Sequence, residues 1–189
     1  MKKEEDKDPC TYGKFLELFP LCTKEKQEEL LERLRKQPCP QSICGKHVPD
    51  SLNMLAYGQL DDMQTAASSQ QPIEETCKVL LEVDSKLLLN EDVNDVFGFS
   101  NFVTKEINRI NKIFSSIKPS YSQGERAAGI ESLNFGAFGV LDWYAQRMHI
   151  ANQNEVRNIS WLRIFQCMKN DNEKNEFERR LYQIYSKKK

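Results

Sequence analysis

Apolar residues recur along the chain at helical rather than strand spacing. Thr11–Phe19 places Tyr12, Phe15, Leu16 and Phe19 on one face, and Pro20 ends the segment. Thr23 can cap a second helix at Lys24–Lys36, where Leu30, Leu31 and Leu34 form a stripe against charged neighbours. Further helices are predicted at Tyr57–Ala67 and at Ile73–Val83 after Pro72. Leu87–Leu89 fits a short strand or a buried turn. Asn90 caps a turn through Val93 and Val96 that ends at Gly98. The clearest periodicity is at Asn101–Ile117, where Val103, Ile107, Ile110, Phe114 and Ile117 alternate spacings of four and three.

The pattern continues to the end of the chain. Ser122 and Glu125 have capping-box spacing and open a helix towards Leu133. Phe138–Met148 is strongly apolar, and Asn152 starts a short helix towards Ile159. Ser160–Lys169 and Asn172–Ser186 are predicted as two separate helices, the second carrying Phe177, Leu181, Ile184 and Tyr185. No segment sustains period-two alternation. The expected class is all-α: a compact helical domain with a small N-terminal helical hairpin as an appendage.

Prolines and charge set the expected organisation. Residues 1–9 form a charged leader predicted to be disordered, and residues 10–48 a cysteine-containing hairpin with a Pro-rich linker (Pro38, Pro40, Pro49). Residues 49–189 form the main helical domain. The 189 residues suffice for one ordinary core plus that appendage. Net charge is −1, yet residues 1–100 carry 12 basic and 19 acidic side chains, and residues 101–189 carry 15 and 9. No apolar run is long enough for a membrane helix, and the N-terminus lacks the apolar stretch of a secretory signal. A cytoplasmic protein is therefore expected.

Chemistry-bearing residues are few. Cys10, Cys22, Cys39, Cys44 and His47 are the set a zinc ion would draw on, because Cys39, Cys44 and His47 approximate one knuckle. Cys10 and Cys22 are too far apart for a second knuckle. Packing or unpaired cysteines are the reading the spacing favours, so no cofactor is expected. Cys44 with His47 is a nucleophile pair on paper, but a Pro-rich loop does not supply the electropositive pocket a thiolate needs. Phe135-Gly136-Ala137-Phe138-Gly139 lacks the ending of a phosphate loop, and no hydrolase, metalloprotease or calcium-loop signature occurs. The chain is expected not to be an enzyme. The basic second half offers the alternative of a small nucleic-acid-binding accessory protein, through a helix–turn–helix-like stretch at Leu141–Asn158. Its expected turn glycine is His149, however, and two expected buried positions are Glu155 and Asn158.

Three stretches carry a resemblance: SLNMLAYGQL (51–60), NFVTKEINRINKIF (101–114) and GIESLNFGAFGVLDWYAQRMHIANQNEVRNISWLRIFQCMKND (129–171). Over residues 50–186 the chain resembles small helical tail assembly chaperones and tail accessory proteins of tailed bacteriophages. That resemblance implies a non-enzymatic factor acting by protein–protein contact in the bacterial host cytoplasm or the virion. It also implies a long, helical, tape-measure-like tail protein as partner. A groove for such a helix would draw on aromatic side chains, and Trp143, Tyr144, Trp161, Phe165 and Tyr185 are the candidates.

Overall fold

The computed structural model describes residues 10–119 and 121–186. The predicted leader, residues 1–9, lies outside them. The architecture is all-α with one two-stranded ribbon. By contacts the chain forms two units. One comprises the described residues up to Leu52 together with Asp62–Asn108, the other Asn53–Asp61 together with the described residues from Arg109 onward.

In the first unit, α1 (Tyr12–Leu18) and α2 (Lys24–Leu34) start at Thr11 and Thr23, whose side chains accept from the backbone N–H groups of Lys14 and Lys26. The expected boundary at Pro38–Pro49 is not where the chain divides, because the hairpin is stitched to residues 89–101. Tyr12 and Gly13 N–H donate to the carbonyls of Glu91 and Leu89 (both 2.8 Å), and Val93 N–H donates to Cys10 O (2.9 Å). Asn101 Nδ2 donates to Leu34 O (2.8 Å) and Gln37 O (3.3 Å), tying the end of α2 and the turn after it to this stretch. Tyr12, Leu34, Ile43 and Val48 are buried, so residues expected in an appendage and its linker are core.

The Pro-rich segment is also more ordered than a linker. β1 (Ser42–Ile43) and β2 (Lys46–His47) pair antiparallel around Cys44-Gly45, both with positive φ (48° and 74°). Two consecutive left-handed residues are what a type I′ hairpin turn requires.

Three helices follow the ribbon: α3 (Tyr57–Ala67), α4 (Pro72–Leu81) and α5 (Ser85–Leu88). Leu87–Leu89, read as a strand or turn, is therefore the end of a short helix. α6 (Val93–Phe114) absorbs the segment expected to stop at Gly98. Gly98 is there for space: a Cβ would collide with Pro38 O, so the loop crosses the helix where no side chain stands.

The second unit contains α7 (Gln123–Ala127), α8 (Gly136–Met148) and α9 (Trp161–Ser186). The Ser122–Glu125 capping box forms as predicted, although α7 ends well before Leu133. Asn53–Asp61 packs on the start of α9: Tyr57 N–H donates to Ile159 O (2.8 Å) and Trp161 N–H to Leu55 O (3.2 Å). Arg157 reaches Asp61 at 3.3 Å, and a Cβ on Gly58 would meet the Arg157 side chain. The core here centres on Ile110, Tyr144, Val156, Trp161 and Ile164, each at most 1% exposed. Phe114 stands 5.8 Å from Trp161 and 5.6 Å, edge-on, from Phe165. No helix among the described residues is long and apolar enough to cross a membrane.

Candidate protein-binding face

The predicted break between Lys169 and Asn172 is absent; α9 runs unbroken for 26 residues. The apolar pattern nevertheless changes phase there. At about 100° per residue, Trp161, Ile164, Phe165 and Met168 share about 100° of arc. Asn172, Asn175 and Arg179 continue that same face, but Phe177, Leu181 and Ile184 cluster on the opposite side within about 60°.

The contacts follow this inversion. In the first half the inward face buries Trp161, Ile164 and Phe165. In the second half the corresponding face makes polar contacts. Asn172 Nδ2 donates to Lys118 O (3.4 Å), and Arg179 Nη2 lies 3.4 Å from Glu125 Oε2 of the α7 capping box. Arg179 Nη1 is buried with no hydrogen-bond partner among the described residues. The Glu125 carboxyl is held below its ordinary range, first by its hydrogen bonds with Ser122 and then by the Arg179 charge. An open cleft of about 750 Å³ borders these residues, lined also by Tyr121, Glu176 and Tyr182.

Apolar side chains of the second half stand in solvent: Phe177 is 57% exposed, Leu181 36% and Ile184 54%. Tyr185 borders the same stripe. The helix thus turns a polar face to its own unit and an apolar one outward. An exposed apolar stripe at helical spacing is the geometry that receives another amphipathic helix.

Of the five aromatics expected to line a groove, Tyr144, Trp161 and Phe165 are core residues and cannot meet a partner without unfolding. Trp143 is half-buried, its ring against Tyr144 at 6.0 Å. Tyr185 alone of the five is prominently exposed. Phe177, Leu181 and Ile184 were not among the candidates. Their signal was available in the sequence, as the opposition between that stripe and Asn172, Asn175 and Arg179.

The five potential zinc ligands do not converge, and among the described residues no three His, Cys, Asp or Glu side chains form a metal-binding group. Cys22 Sγ contacts Leu18 O and Cys39 Sγ contacts Pro40 O, both at 3.5 Å. Cys44 lies in the ribbon turn and His47 at the end of β2, with no hydrogen bond between the two side chains. His47 Nδ1 contacts Gln41 O (3.1 Å), while burial and then the neighbouring Glu91 push the Cys44 thiol up to about 11. That thiol is protonated at neutral pH.

Two guanidinium groups of the helix–turn–helix-like stretch are already engaged. Arg147 makes a two-pronged contact with Asp171 (2.9 and 3.1 Å), and Arg157 pairs with Asp61. Compared with known proteins, the chain matches no family, no curated protein and no solved structure.

Proposed function

We propose that the chain is a non-enzymatic assembly or accessory factor that works by protein–protein contact through the outward stripe of α9. The observation that carries this reading is the inverted polarity of Asn172–Ser186, which leaves Phe177, Leu181 and Ile184 in solvent. A helix that lays a polar face on its own unit gains little from these apolar side chains until something covers them. Covering them contributes at most about 1.5–3 kcal/mol each, against an association cost of about 4–15 kcal/mol. Such a face suits transient capture rather than permanent assembly.

The partner class that fits is an amphipathic helix with apolar residues at three- and four-residue spacing. The resemblance to tailed-phage tail assembly chaperones supports a long helical tail protein in that role, met in the host cytoplasm. The test is co-expression of the full chain with the products of its neighbouring genes, followed by isolation of the complex. Wild type is expected to retain a helical partner that F177E/I184E loses. Equal retention by both proteins would overturn the reading, as would a catalytic activity abolished by one point substitution.

A further inference from the structure

We draw no further inference here: the strongest candidate, the open cleft lined by Tyr121, Asn175, Glu176 and Tyr182 beside Arg179 on α9, borders the face already described, and nothing in its mix of carboxylates, amides and phenols singles out a ligand.

Discussion

The two halves of α9 are built on one uninterrupted backbone and solve different problems. Trp161–Met168 obeys the ordinary rule: its apolar arc faces inward, and Trp161 and Ile164 are sealed from solvent. From Asn172 onward the arc rotates by half a turn, and the inward contacts pass to an amide and a guanidinium. In the first half, burial of apolar surface holds the helix to its unit. In the second half, partly exposed polar contacts do so, and these are individually weak. The first half is structural. The second presents a surface.

This contrast can be broken or sharpened by substitution. The largest effect is expected for Trp161→Ala, which empties the core beside Phe114 and should lower unfolding stability by about 3–5 kcal/mol in denaturant titration. Glu173→Pro tests continuity at the phase change. Its side chain is exposed, so a loss of about 3 kcal/mol would report an interior helix position, and near-neutrality would mean that the chain breaks there as the apolar pattern suggests.

Ser122→Ala removes one arm of the capping box that Arg179 leans on and should cost about 1 kcal/mol. The associated pH dependence has a defined sign. The folded chain holds Glu125 below its ordinary 4.5, so the stabilisation is complete above that value and disappears as the pH falls through the folded value. Glu125→Gln should flatten that acid limb in thermal melts recorded between neutral and acidic pH. The smallest effect is expected for Ile184→Glu, within about 0.5 kcal/mol of wild type by thermal melting of dilute protein. A large loss there would show that the outward stripe contributes to the fold.

Legibility in the sequence followed the locality of the physics. Thr23, Ser122 and Asn152 act at helix starts through bonds to residues two or three positions on, and all three cap as spacing predicts. α3 has its predicted bounds. What escaped depended on partners distant in the chain. Gly98 reads as a terminator until Pro38 O is found against it, and the Pro38–Pro49 segment reads as a linker until Asn101 is seen bonded to the end of α2. Cys44-Gly45 forms a hairpin turn without the Asn or Asp that usually marks one.

The candidate site was harder for the same reason. Periodicity places residues on a face without saying what the face meets. Trp161 and Phe165 therefore read as well for a groove as for a core. Tyr185 is a candidate on the same ground as the other four aromatics and is the one that stands exposed, whereas the stripe beside it emerges only when the polar residues on the reverse of α9 are given their contacts.

The segment Asn53–Asp61 has a consequence for synthesis on the ribosome. Its hydrogen-bonding and ionic partners near the start of α9 lie far downstream, with Arg157 following Asp61 by 96 residues. At about 5–20 residues per second, roughly 5–20 s separate the appearance of the two. During that interval Leu55, Tyr57 and Leu60 have emerged while Ile159 and Trp161 do not yet exist. Each nascent chain therefore carries an unsatisfied apolar segment in its middle, open to chaperones or to neighbouring nascent chains, until translation has passed Trp161.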